Sequence, residues 1–476
     1  MKEDYIAVRK IVPEASFTVN IDSAFSPLTV QFTNTSTHAV VYVWDFGDGT
    51  SSTEENPIHT FEYNPNTFRY QYPVILTAYD RKGDSSTYYH RITSLKNVPT
   101  SNPKTSALDL WVDENVMRIY TKPKYTGISM GFIDGTEEHT YHYGETKRNS
   151  GILADDNTLY QIASVTKTLT GIVTIQWLSQ KGISIDAQVI DYLPADLKPG
   201  LNYAGTPVTF RHLLNHTSGL SSDSFDTFQG CDPWVDTDSV SIYNYIKTHP
   251  LLRKPGTSPT EWSIDDYYSN LAFGLLGLIL ERQHHISLQE IFNQYVLVDM
   301  GMSSTVFDDL ENHTNISYPY GGYNGSQTCD EIFDHLKYGY SGAGGLISNL
   351  HDMDMYIKRL LSPDMNSALG KAILKSHEKQ YSMENSSRAL PWFMVNLSSG
   401  DTIFLHTGGR SGMNTFLAIN NTQKKAAVFM TNYWIRGDDW EYMTNMMFQY
   451  LTGDYRNSRI SSDEVYMNHS IIIQRP

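Results

Sequence analysis

From Ser164 the chain reads Ser-Val-Thr-Lys-Thr-Leu-Thr-Gly, and the apolar positions that follow (Leu169, Ile172, Val173, Ile175, Trp177, Leu178) recur on both flanks of a helical period. A segment apolar around so much of its circumference predicts a helix opened by Ser164, buried in the protein and stopped at Lys181-Gly182, with the rest of a domain packed around it. Ser164 and Lys167 are three residues apart, so hydroxyl and amine share a face, about 5–6 Å apart at Cβ. A serine hydroxyl is a poor nucleophile until a base takes its proton, and lysine is a base only when neutral. Neutrality at pH 7 asks for about 4–5 kcal/mol of differential interaction, which burial and a helix N-terminus can supply. The same spacing at Ser101–Lys104 lies in a Pro/Asn/Ser stretch, and at Ser376–Lys379 in a charged one. Only Ser164 opens a long, mostly apolar helix.

Upstream, residues 13–97 alternate apolar and polar side chains in short runs: Ser16–Asn20, Leu28–Asn34, Val40–Phe46, Thr67–Tyr79 and Ser86–Ser94. Strands at such regular spacing predict a small all-β sandwich. Trp44-Asp-Phe-Gly-Asp-Gly-Thr50 ends one strand in a turn, in which Asp45 and Asp48 are expected to hold the backbone through side-chain hydrogen bonds. A linker, Val-Pro-Thr-Ser-Asn-Pro-Lys-Thr, follows at residues 98–105.

Beyond it, Leu108–Tyr120 reads as an amphipathic helix, and Tyr125–Ile133 and Glu138–Gly144 flank an Asp134-Gly135 turn as two antiparallel strands. Phe210–Leu220 reads as a short helix ending at glycine, Ser221–Pro259 as a loop-rich wall or lid, and Leu271–Leu280 as an apolar helix. Thr402–Leu405, Asn414–Ile419 and Ala426–Thr431 read as strands, followed by a helix from about Asp438 to Leu451. Two strands early and three late, with helices between, predict a five-stranded antiparallel sheet closed by both ends of the domain. The segments expected are an extension at 1–12, the sandwich at 13–97, a linker at 98–106, this α/β domain at 107–455, and a polar tail at 456–476.

Function classes narrow with composition. A formal charge of −16 disfavours nucleic acid and anionic membrane surfaces as partners. Charged residues are only 18% and tyrosines number 32, which describes a folded, polar-uncharged chain. The longest apolar run, Leu271–Leu280, is too short to span a bilayer. Cys231 and Cys329 are either two buried thiols or one disulfide between loops, and neither sits in a Cys/His cluster of zinc spacing. Met1-Lys2-Glu3-Asp4 is charged and no apolar run follows, so no secretory signal is expected in this chain, although nine Asn-x-Ser/Thr sequons would suit an exported one.

An acyl-transfer site also needs proton-transfer partners, oxyanion donors and groups that grip the substrate. Tyr268-Ser-Asn270 precedes the helix Leu271–Leu280, which Asn270 could cap while Tyr268 projects from the loop. His406-Thr407-Gly408-Gly409 follows the strand Thr402–Leu405, where glycines let a substrate approach backbone N–H groups. For His212 and His216 structural hydrogen bonding is expected; Trp234, Trp262 and Tyr340 are candidates for the cleft wall or for the core.

In this order these segments resemble the serine β-lactamase and penicillin-binding-protein superfamily, in its branch of class C β-lactamases, D-alanyl-D-alanine carboxypeptidases and esterases. The resemblance covers residues 107–453 and includes Phe210–Leu220, Tyr268–Glu281 and Ser341–Asp352 in register. Leu28–Ser36, the Trp44–Gly49 turn, His59–Tyr63 and Tyr72–Asp80 likewise resemble PKD domains, an immunoglobulin-like family. The resemblance implies a multidomain chain: a PKD sandwich, then an α/β domain with an antiparallel sheet flanked by helices and a mainly helical subdomain.

It further implies Ser164 as acylated nucleophile, Lys167 as its base, Tyr268 in proton transfer, and Asn270 bound to substrate and to Lys167. The backbone N–H groups of Ser164 and Gly409 would form the oxyanion hole, with His406, Thr407 and Gly408 also lining the substrate site. No metal or organic cofactor is implied. Where many members carry lysine this chain has His406, cationic only in part near pH 7, which makes a penicillin one candidate substrate among D-amino-acid peptides and esters. The PKD resemblance implies an extracellular module with a polysaccharide or protein partner. The rival reading is a catalytically silent scaffold of the same fold used for adhesion.

Overall fold

The computed structural model describes residues 11–62, 69–95, 98, 100–120, 126–223, 237–259, 267–307, 309–321, 330–331, 339–383, 386–410 and 412–456. Cys231, Cys329, Trp234, Trp262, residues 224–236 of the expected lid and residues 457–476 of the tail lie outside these residues. The chain divides into two compact units, the first holding the described residues up to Val98 and those of 114–120, the second those of 100–113 and from Thr126 onward.

In the first unit β1 (Phe17–Val19), β3 (Leu28–Asn34) and β6 (Ile58–Phe61) form one sheet. The other has the order β2-β8-β7-β4-β5, built from β2 (Ser23–Phe25), β4 (Val41–Asp45), β5 (Ser51–Ser52), β7 (Arg69–Tyr79) and β8 (Ser85–Leu95). Alternate residues turn inward, so Val30, Phe32, Trp44, Val74, Leu76 and Ile92 are fully buried between the sheets. The turn is held as expected: Gly47 N–H donates to Asp45 Oδ1 and Thr50 N–H to Asp48 Oδ1, each at 2.9 Å.

The second unit centres on an antiparallel sheet of order β10-β9-β21-β20-β19-β18-β17-β16. Its first five strands are those read from the sequence: β9 (Gly127–Asp134), β10 (Glu137–Gly144), β19 (Thr402–Arg410), β20 (Met413–Asn420) and β21 (Lys425–Thr431). Three more, β16 (Tyr381–Ser382), β17 (Ser387–Arg388) and β18 (Phe393–Asn396), extend the sheet beyond the five expected. Two- to four-residue strands leave too few alternations to be seen. Smaller pairings, β11 (Tyr160–Gln161) with β15 (Leu346–Ser348) and β14 (Val306–Phe307), and β12 (Asn202–Tyr203) with β13 (Thr206–Pro207), tie the helical part together.

The buried helix is α1 (Thr166–Lys181), closed by Gly182 in the left-handed conformation at φ 64°. Residues 166–178 are all buried. Around it lie α2 (Phe210–Leu214), α3 (Ser239–Thr248), α4 (Asn270–His284), α5 (Leu350–Leu361) and α6 (Ala368–Ser376), and α7 (Asp438–Thr452) closes the C-terminal end. α2 stops five residues before the expected glycine, because Asn215 Oδ1 accepts from both the N–H and the hydroxyl of Thr217, and His216 turns left-handed at φ 60°. On α4 the glycines permit close packing: a Cβ on Gly274 would stand 2.5 Å from Gly339 O, and one on Gly342 2.6 Å from Phe273 O. This brings the turn Ser341–Gly344 against both α1 and α4.

Candidate active site

Ser164 does not open the α-helix itself. It sits in a 3-10 turn, Ala163–Val165, that feeds α1, and Ala163 before it has φ 45°, a left-handed conformation that costs about 1–3 kcal/mol in a non-glycine residue. The bend leaves Ser164 half-exposed while its neighbours Ala163, Val165, Thr166 and Lys167 are buried. Lys167 is one turn on, and its Nζ is 2.8 Å from Ser164 Oγ and 2.5 Å from the carbonyl oxygen of Ala343. Full burial holds the amine well below the ordinary lysine range, partly offset by the negative charge of Asp223. A neutral amine donates to Ala343 O and keeps its lone pair for the serine proton.

Tyr268 precedes α4. Instead of projecting from a loop it is 8% exposed, with Lys167 Nζ 5.0 Å from its ring centre and its phenol hydrogen-bonded to Ser164. Burial pushes the phenol upward; the Ser164 bond and the Arg388 charge act the other way. The helix cap is Ser269, whose Oγ accepts from Ala272 N–H, so Asn270 is the first helical residue. Its Nδ2 donates to Asp223 Oδ1 at 3.1 Å, where the expected partner was Lys167. Asn270 thereby holds the carboxylate whose charge bears on Lys167.

His406, Thr407, Gly408 and Gly409 lie within β19, not after it. Full pairing with β20, His406 against Leu417 through Gly409 against Asn414, overrides the weak strand preference of glycine. Thr407 and Gly409 are half-exposed on one side of the strand and Gly408 is buried on the other. A Cβ on Gly408 would stand 3.2 Å from Ser164 N, so this strand passes directly beside the backbone of Ser164.

His406 is neutral, not partly cationic: burial, with the charge of Arg388 acting the same way, pushes its pKa down to about 3. Nδ1–H donates to Thr407 O at 2.8 Å, which leaves Nε2 with the lone pair. The charge that His406 lacks is carried nearby by Arg388 of β17, a residue the sequence reading passed over. It is fully buried, 3.0 Å above the centre of the Phe393 ring and beside Tyr381; burial lowers it to about 9, so it stays cationic at neutral pH. Asp223 and Arg388 lie in Ser-Ser-Asp-Ser and Asn-Ser-Ser-Arg stretches that carry no signal of periodicity or motif.

The structure thus brings Ser164, Lys167 and Tyr268 into one cluster, with β19 passing beside Ser164. His212 serves structurally, as expected: its Nδ1 accepts from Thr209 N–H in a capping box. Tyr340 is buried in the core.

A family model described as Beta-lactamase matches residues 112–450, most of the chain. The chain belongs to the beta-lactamase family. A PKD domain precedes the beta-lactamase domain, matched over residues 12–93. Over 345 residues the chain is 25% identical to the D-alanyl-D-alanine-carboxypeptidase/endopeptidase AmpH of Escherichia coli K12, covering 68% of this chain and 85% of that protein. Penicillin-binding protein 4* of Bacillus subtilis is 26% identical over 321 residues, covering 64% and 66% respectively. Among solved structures, a class C beta-lactamase superposes with a TM-score of 0.61 at 17% identity, over 76% of this chain and 99% of that one. A beta-lactamase/D-alanine carboxypeptidase from Pseudomonas syringae does so with a TM-score of 0.60 at 16% identity, over 75% and 100%. The beta-lactamase fold of this domain and the superfamily of serine β-lactamases and penicillin-binding proteins follow from these matches.

Proposed function

We propose that the protein is a serine hydrolase that cleaves an amide or ester through an acyl-enzyme on Ser164. The observation that carries this reading is the 2.8 Å contact between Ser164 Oγ and the desolvated amine of Lys167. Lys167 takes the hydroxyl proton as Oγ attacks the carbonyl carbon, and Tyr268, hydrogen-bonded to Ser164, passes a proton to the leaving group. The backbone N–H groups of Ser164 and Gly409 stabilise the oxyanion; in comparable sites one such donor is worth about 3–4 kcal/mol. Asn270 and the His406–Gly409 strand line the substrate.

Arg388 supports a substrate that bears a carboxylate, since a buried guanidinium attracts negative charge through a low-dielectric interior even without contact. A D-amino-acid peptide, the substrate type in the name of the similar AmpH, meets that requirement, and so does a penicillin. An extracellular location goes with this reading through the PKD module, which would tether the enzyme to a polysaccharide or protein. Labelling by a fluorophosphonate and by a fluorescent penicillin tests the chemistry: wild type labels and Ser164→Ala does not. Absence of labelling in wild type overturns it. Nitrocefin, p-nitrophenyl esters and D-Ala-D-Ala peptides then sort the substrates.

A further inference from the structure

His216 is an expensive residue to place where it stands. It adopts φ 60°, a conformation side chains with a Cβ rarely take, and is 1% exposed. Its Nδ1 accepts from Ser269 N–H at 3.1 Å, which fixes the remaining ring proton on Nε2. Nε2 is itself buried and has no hydrogen-bond partner among the described residues. A structural residue that only capped the Ser269 amide would need neither the ring nor the strained backbone.

The ring has a specific neighbour. It stacks on Tyr268 with centres 4.6 Å apart and planes 28° apart, and its centre is 5.1 Å from that of Phe273. Lys167 Nζ is 5.0 Å from the Tyr268 ring centre and 5.8 Å from that of Phe273. Ser269, whose amide anchors His216, is both the next residue after Tyr268 and the cap of α4. Anchor, stack and phenol are therefore joined within two residues of chain.

We infer that His216 is a positioning residue for the reaction: anchored through Nδ1 to the Ser269 amide, its ring is the wall that holds the Tyr268 phenol in register with Ser164 and Lys167. The inference rests on the reading of Ser164 as nucleophile and Tyr268 as proton-transfer partner. Burial, with the charge of Arg388, keeps the imidazole neutral, so it adds no cation to compete with the stack.

The test uses the full chain, an ester substrate and fluorophosphonate labelling. Asparagine tolerates the left-handed backbone and keeps an acceptor for the Ser269 amide, but has no ring. His216→Asn is expected to lower kcat by about 10–100-fold, the effect of a misplaced group, with KM within about threefold. His216→Phe, which keeps a ring against Tyr268, should recover much of that loss. In a Tyr268→Phe background, His216→Asn should change kcat by less than about threefold, because the group it positions is gone. Unchanged kcat in His216→Asn, or an equal loss in both backgrounds, overturns the inference while wild-type labelling leaves the hydrolase reading standing. Should His216→Asn not fold, His216→Gly, which also tolerates the left-handed backbone and has no ring, decides by the same comparison in the two backgrounds. Wild type that takes no label overturns both readings together.

Discussion

Gly408 and Ile162 are so close that a Cβ on the glycine would stand 2.3 Å from the isoleucine carbonyl oxygen. The strand that carries the His-Thr-Gly-Gly run is thus seated on the turn that carries Ser164, backbone on backbone. Gly408→Ala must push one of them away. The expected outcome is a loss of about 10²–10³ in kcat/KM for an ester, with far-ultraviolet circular dichroism retained, since small displacements at such a site are amplified in rate. Unaltered kcat/KM would show that the approach is not part of the catalytic geometry.

Lys167 is buried neutral, whereas in the unfolded chain it is charged until about pH 10.4. Its folded pKa is depressed, so between that value and about 10.4 the unfolded state binds the extra proton and stability rises with pH. Lys167→Met removes this penalty along with the base. Fluorophosphonate labelling should fall by at least about 10²-fold while Tm at pH 7 rises by a few degrees, on the order of 2–4 °C per kcal/mol for a domain of this size. A variant both inactive and less stable would contradict the account of a desolvated amine.

His406 stays neutral throughout the working range, since its pKa lies at about 3. His406→Gln is therefore expected to change the rate without moving either limb of the pH–rate profile between pH 5 and 8. Loss of a limb in that window would assign the titration to the imidazole.

Arg388 is proposed to act on the site by charge. Replacing it with methionine should lower kcat/KM for a carboxylate-bearing substrate, such as an acyl-D-Ala-D-Ala peptide, by at least about tenfold relative to an uncharged p-nitrophenyl ester. Equal losses on both would reduce Arg388 to a packing role on Phe393 and Tyr381.

Asp354, on α5, has an Oδ1 that is buried without a hydrogen-bond partner among the described residues, beneath Gly131 of β9. Burial, then the charges of Glu138 and Asp156, raise its pKa to about 8, with Lys358 opposing. A carboxyl whose folded pKa is raised holds a proton that the unfolded chain releases near pH 4. Stability from this group is present below that pH, declines as pH rises toward 8 and is gone above it. Thermal melts from pH 5 to 8.5 should show this slope in wild type and a flatter one in Asp354→Asn.

Much of this was legible beforehand because the strongest signals are periodic or punctuated. A helix apolar on both flanks, a glycine stop at Gly182 and long apolar strands, buried on both faces in β9, β20 and β21, left little freedom in the second unit, and five of the eight described sandwich strands of the first were visible. What could not be read is of two kinds. Very short strands such as β16 and β17 exist only because a neighbour is already in place, and the 3-10 turn at Ser164 comes from packing against β19. Asp223, Arg388 and His216 act through burial and distance, which a linear string does not contain. Asn270 shows the limit of position-based capping: the hydroxyl one residue earlier was better placed for the Ala272 amide.

The pairing of β9 with β21 joins Ile128 to Thr431, about 300 residues apart. A chain leaving the ribosome delivers Ser164 early, yet the strands that complete its surroundings are made almost last. With Ser164 as the proposed nucleophile, a half-synthesised chain is expected to be inert toward acylation, because the strand that passes beside its amide has yet to be made.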